Sequence, residues 1–204
     1  MTTYVYPTTG DAYKLAGMAW RIEDFVLVST PAYGGKTRTY EIPGQRLVVT
    51  LTYGPQTHEE RREIRGWWAK AGQQRNRVSL YDYAAPTPRG TLTGSPRINS
   101  VAAVGASSVS VKDMSTGTLK RGDGIGITSG GLTFLYTVTD DATPTAGVAT
   151  VGIAPPLRVA AAVNDAVAWD KPTGVFMVTA APEIVFQGSG PHPPFSVSLL
   201  EVGE

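Results

Sequence analysis

One stretch of this chain has the period of a long helix, and it lies between two strand-like runs. Thr57-His58-Glu59-Glu60 forms a capping box, in which the Thr57 hydroxyl accepts from the Glu60 backbone N–H and Glu60 reaches back to the N-cap. Beyond it Ile64, Trp67, Trp68 and Ala71 fall at i, i+3, i+4 and i+7, which makes one apolar stripe. Glu59, Arg61, Arg62, Glu63, Arg65 and Lys70 fill the other faces with mixed charge at ion-pair spacing and read as a solvated surface. Gly72 reads as the C-terminal stop. The spacing predicts a helix over about residues 57–72, ~22 Å long. Upstream, Leu47, Val49, Leu51 and Tyr53 alternate in a strand closed by Gly54-Pro55; downstream, Arg77–Tyr83 reads as a second strand. A helix with one apolar stripe must lie on an apolar surface, and large aromatics bury ~150–250 Å2 each. The unit is therefore expected to be a lid clamped over one face or mouth of a β-sheet, its tryptophans in the core.

The rest of the chain reads as strands. Glycine (23) and proline (15) among 204 residues give turn signals at short intervals. Residues 18–28 are strand-like, 30–36 form an exposed loop, and 37–42 alternate up to a stop at Pro43-Gly44. From Ile98 to about Asp170 the residues are small and β-branched. Six short strands are expected there: 101–104, 108–111, 124–128, 133–139, 148–153 and 166–169. Residues 174–179, 183–187 and 195–202 read as strands, with His192 in a proline-rich loop before the last. A strand at the end of a chain needs ladder partners, and too few strands follow Asp170 to supply them. The expected fold is mainly β. A split β-barrel or sandwich over 1–95 and 171–204 carries the helix, and a small β-barrel or sandwich over 96–170 is inserted into it.

The residues that carry chemistry are sparse. Eighteen basic and seventeen acidic residues give no electrostatic case for wrapping nucleic acid, and there is no cysteine for a disulfide, thiolate site or thiol nucleophile. No apolar run reaches the ~18 residues of a membrane span. The N-terminus shows neither the basic nor the apolar region of a signal peptide. His58 and His192 are isolated, in no H-x-x-x-H pattern, and read as surface histidines rather than metal ligands. Gly122-Asp123-Gly124-Ile125-Gly126 lacks the dinucleotide spacing and reads as turn chemistry. Glu23, Asp24, Glu41 and Asp82 are carboxylates, but nothing pairs two of them across a cleft. No catalytic, cofactor or metal site is assigned, and an enzyme is not expected.

One composite pattern says more. The capped helix with paired tryptophans runs into Gly72-Gln-Gln-Arg-Asn-Arg-Val78-Ser-Leu80-Tyr-Asp82, with Pro88-Arg89-Gly90 after it. Then follow, in order, Leu119-Lys-Arg-Gly122-Asp123-Gly-Ile-Gly-Ile127, Leu135-Tyr136-Thr-Val138, Gly147-Val-Ala-Thr-Val151, Pro155-Pro156-Leu157-Arg158 and Phe176-Met177. This succession resembles the distal tail proteins of long-tailed bacteriophages over most of the chain after residue 45, with Val78 where an aromatic is common. The resemblance implies a structural protein of the virion tail tip, assembled in the host cytoplasm as a ring, commonly a hexamer. That ring joins the tail tube to the tip or baseplate, its channel passes the tape-measure protein and then DNA, and its inserted domain holds fibre or tip proteins. Expected subunit contacts are Tyr33 and Lys36 in the exposed loop, Arg61, Arg62 and Arg65 on the helix, and His192 in the proline-rich loop. The alternative is a carbohydrate- or receptor-binding module with Trp169, Tyr136, Tyr33 and Tyr40 as stacking faces.

Overall fold

The computed structural model describes residues 2–7, 10, 13–30, 35–115, 117–188 and 190–203, of which 25–26 and 41–43 are described by backbone alone. It is mainly β. The elements in order are β1 (Thr3–Val5), β2 (Leu15–Ser29), β3 (Arg38–Tyr53), α1 (His58–Ala71), β4 (Arg77–Leu80), β5 (Arg97–Ile98), β6 (Ser108–Lys112), β7 (Gly124–Ser129), β8 (Leu132–Val138), β9 (Ala149–Ala154), β10 (Ala166–Ala168), β11 (Gly174–Val178) and β12 (Phe195–Glu201). Six strands form a sheet in the order β1-β4-β11-β12-β3-β2, and the other six close into a barrel, β10-β5-β6-β9-β8-β7. The sheet is antiparallel except for β1, which runs parallel to β4. β11 and β12, which follow the barrel in sequence, lie between β4 and β3.

Alternation places the sheet's core on one face. Leu47, Val49, Leu51 and Tyr53 of β3, Val78 and Leu80 of β4, Phe176 and Val178 of β11, and Val197 and Leu199 of β12 are all buried together. The other face carries hydroxyls, with Thr50 opposite Ser198 (3.4 Å) and Thr52 opposite Ser196 (3.3 Å). α1 covers the apolar face with Ile64, Trp68 and Ala71. Its capping box forms as expected: Glu60 N donates to Thr57 Oγ1 (3.4 Å) and Thr57 N to Glu60 Oε2 (2.7 Å). Gly72 ends the helix at φ −78°, outside the left-handed region, so its value is space. A Cβ there would stand 2.6 Å from the Trp68 carbonyl oxygen and 2.9 Å from the Trp68 ring.

Four strand expectations are corrected. Pro43-Gly44 does not end a strand; β3 runs straight through it. The ladder absorbs the proline at an irregularity, because pairing shifts between Glu23↔Arg46 and Phe25↔Ile42. Residues 101–104 form no strand beyond a single bridge from Ala102 to Ala161; Val101 and Val104 face solvent, and Gly105 turns the chain at φ +85°. The sixth barrel strand is β5, which pairs with both β6 and β10. Finally, residues 183–187 are not a strand. Both ladder sides of β11 and β12 are already occupied, so this segment finds no open edge beside them. It crosses α1 instead, placing Ile184 against the sheet core and Phe186 beside Arg65.

The barrel's core is apolar and rich in β-branched residues, including Ile98, Val109, Val111, Ile125, Ile127, Val151 and Ile153. It meets the sheet along β8. Leu135 belongs to the sheet's core, and its N–H donates to Glu201 Oε1 (2.7 Å). Glu201, 2% exposed, is paired with Arg158 at 2.6 Å, and the Arg158 guanidinium sits 5.0 Å from the Phe134 ring centre. Gly203 abuts the same ring so closely that a Cβ would overlap it.

Candidate functional site

Three places merit a functional reading: the far half of the β2–β3 ribbon, the outer side of α1, and a cavity between sheet and barrel. β12 pairs with β3 only from Tyr53 to Val48. Beyond that, β2 and β3 continue as a two-stranded ribbon, Ile22–Ser29 against Arg38–Leu47, with no third strand among the described residues. Its described side chains from residue 22 to 29 and 38 to 40 are all exposed, among them Leu27 (60%), Val28 (57%) and Tyr40 (53%). Among the described residues, the same sheet ends in two unpaired edges, β1 and β2. Of the contact residues expected near this arm, Lys36 is exposed, and Tyr33 lies outside the described residues.

On α1, Arg62 and Arg65 are exposed, but Arg61 and His192 are not surface residues. Arg61 is fully buried, and His192 is 1% exposed. This corrects the solvated reading of both. Arg61 occupies the position three before Ile64 and so prolongs the buried stripe; that spacing was the available signal. Its Nη2 donates to the Pro193 carbonyl, and its guanidinium stands 4.7 Å from the Phe195 ring centre. His192 is enclosed by the segment crossing the helix and meets His58, 3.1 Å between ring nitrogens. Its partner is 134 residues away, and no local pattern announces it.

Inside the lid, Trp68 Nε1 donates to Tyr53 Oη (3.1 Å), which is 2.8 Å from Tyr6 Oη. Burial holds both phenols well above the usual tyrosine range. Trp67 is half-buried and meets Tyr6 edge-on at 5.3 Å.

A cavity of about 240 Å3 lies between sheet and barrel, walled by Trp20, Tyr81, Asp82, Arg89, Trp169 and Lys171 among others. Trp20 Nε1 is buried without a hydrogen-bond partner among the described residues. Of the aromatic faces expected for sugar stacking, Trp169 lines this cavity but donates to the Gly94 carbonyl (3.0 Å), and Tyr40 is on the arm. Tyr136 is buried and accepts from Arg158 N. Asp123, read as a turn residue, does more. It is 3% exposed and accepts from Arg89 N (2.7 Å), Gly90 N (3.0 Å) and Lys120 N (2.8 Å). The Pro88-Arg89-Gly90 and Gly122-Asp123 motifs, separate in sequence, thus hold each other. Gly90 is needed there, since a Cβ would stand 2.1 Å from the Thr118 carbonyl oxygen.

Among the described residues, no three histidines, aspartates or glutamates gather as a metal site, and no helix is long and apolar enough to cross a membrane. No protein-family model matches the sequence, and no curated protein matches it.

Proposed function

We propose that this chain is an architectural subunit that joins copies of itself side by side around a hole. The resemblance to distal tail proteins supplies the setting. A ring, six-membered by that analogy, links a phage tail tube to the tip or baseplate and leaves a channel for the tape-measure protein and DNA. The barrel faces fibre or tip proteins. No catalytic step or cofactor belongs to this reading.

The observation that supports it is the arm. A two-stranded ribbon alone is marginal in water, and this one has solvent on both faces and exposes Leu27, Val28 and Tyr40. Laying those side chains on a neighbouring copy removes them from water, and the open edges β1 and β2 offer further backbone partners. Because Glu23 pairs with Arg46, residues 24–45 can be replaced by Asn-Gly, a two-residue hairpin turn. Light scattering is expected to give a multiple of the chain mass for the intact protein and one chain mass for the shortened one. The melting temperature should change by no more than about 4 °C, since the removed residues hold little core. A shortened protein that associates as the intact one does overturns the role of the arm.

The cavity supports a second reading, a site for a small saccharide. Aromatic walls, Asp82, Arg89 and Lys171 suit a polar ring with an apolar face, and the unpartnered Trp20 Nε1 suits a hydroxyl acceptor. On this reading a glycan panel shows binding that Trp20→Phe weakens roughly tenfold without unfolding. No binding at millimolar glycan removes it.

A further inference from the structure

The connection from β11 to β12 crosses α1 as a strap, residues 181–188 and 190–194. Its far end is fastened at Pro193, whose carbonyl accepts from Arg61 Nη2, and at His192. Gln56 and His192 exchange backbone hydrogen bonds, His192 N to Gln56 O at 2.8 Å and Gln56 N to His192 O at 3.3 Å. The His192 ring completes the fastening. Gln187 N donates to His192 Nδ1 (3.0 Å), which requires a lone pair there and so places the ring proton on Nε2. That proton faces His58 Nδ1 at 3.1 Å, which must then supply a lone pair of its own. Each imidazole therefore has one nitrogen committed as an acceptor, and the arrangement holds only while both rings are neutral.

The surroundings are cationic. From α1 come Arg61, fully buried with Nε and Nη1 lacking hydrogen-bond partners among the described residues, and Arg65, whose guanidinium lies 5.3 Å from the Phe186 ring centre. The Phe186 ring touches both imidazoles, at 5.7 Å from His58 and 5.1 Å from His192. His58 opens α1, at the positive end of the helix dipole. The first turn also carries two acids, Glu59 and Glu60, of which Glu60 is engaged by Thr57 N and Oγ1. Between Glu183 and the end of the strap, His192 is the one residue able to carry charge. From the sheet side come Tyr53 and Phe195, stacked at 4.5 Å, and neither is an acid. Among the described residues, no carboxylate bonds to either ring.

We propose that His58 and His192 form a proton-sensitive latch. The strap is fastened over α1 while both rings are neutral, and mild acid releases it, uncovering the flank of α1 that carries His58, Arg61 and Arg65 and freeing Ile184 and Phe186. Protonation breaks the acceptor bonds at His58 Nδ1 or His192 Nδ1 and adds charge beside Arg61. Burial, with Arg61 and then His58 adding to it, holds His192 below the usual histidine value of 6.5. The released strap therefore binds the proton more readily, so release grows as pH falls through ~6.5 and is suppressed above it.

Hydrogen exchange of the full chain at pH 7.5 and 5.5, corrected for the intrinsic pH dependence of exchange, tests this. The amides of Gln56, Gln187 and His192 should lose protection roughly tenfold or more at pH 5.5, while barrel amides keep theirs. In the H58Q/H192Q double variant, strap protection should be the same at both pH values. Unchanged wild-type protection overturns the latch, as does an equal loss in the double variant. If the double variant has an open strap at both pH values, H58Q alone decides. A smaller pH response than wild type upholds the latch, and an undiminished one overturns it.

Discussion

Trp68→Ala is expected to destabilise the fold by roughly 3–5 kcal/mol, and Trp67→Ala by about half as much. The two residues are adjacent in sequence but unequal in place. Trp68 is 2% exposed, lies over the sheet core with Ile64, and gives its indole N–H to Tyr53. Truncation opens a cavity beneath the helix and takes a donor from the paired phenols of Tyr53 and Tyr6. Trp67 stands at the stripe's edge, half-buried against Tyr6, Tyr13 and Trp68, so its loss exposes rim surface and lets water in. Urea titration of the two variants checks the order. Equal and small losses contradict a helix packed as described.

Arg158→Ala is expected to cost about 2 kcal/mol at pH 8, because it leaves Glu201 buried without its cation. The loss should shrink in acid. Burial pushes the Glu201 carboxyl from 4.5 up to about 7, against the pull of Arg158 and the Leu135 N–H. A carboxyl whose folded pKa lies above its unfolded value holds its proton more tightly in the native state. Its contribution is then most favourable below pH 4.5 and declines as pH rises to about 7. At pH 5 Glu201 is already neutral in the fold, and the variant loses mainly the guanidinium's contact with Phe134, about 1 kcal/mol. The R158M/E201Q pair, which keeps an acceptor for Leu135 N–H, should recover most of the loss at pH 8. Urea titrations at both pH values measure this, and equal losses at pH 8 and pH 5 contradict it.

How far the sequence could be read depends on the range of each interaction. The helix was legible because its signals are local: Thr57 and Glu60 cap each other within one turn, and Ile64, Trp68 and Ala71 share a face by spacing alone. The buried face of β3 was legible for the same reason. Pro43-Gly44 misled because a proline stops a strand only where a partner needs its N–H, and the ladder here shifts around it. Ile184 and Phe186 have strand-like spacing, yet whether an edge stands free for them depends on how β11 and β12 pair. Arg61 was visible on the apolar stripe and was misread because charge outweighed position. His192 was not legible at all, since what buries it and what it bonds come from distant segments. The arm was half visible: both strands showed in the sequence, but that nothing pairs beyond them is a property of the assembled sheet.

Self-association is the claim on which the functional reading rests, and electron microscopy of the purified chain, viewed face on, tests it most directly. The expected image is a closed ring of about six copies around an open centre, with the β2–β3 arms within the contacts between neighbours. A field of single-chain particles that persists at the highest attainable concentration would contradict it.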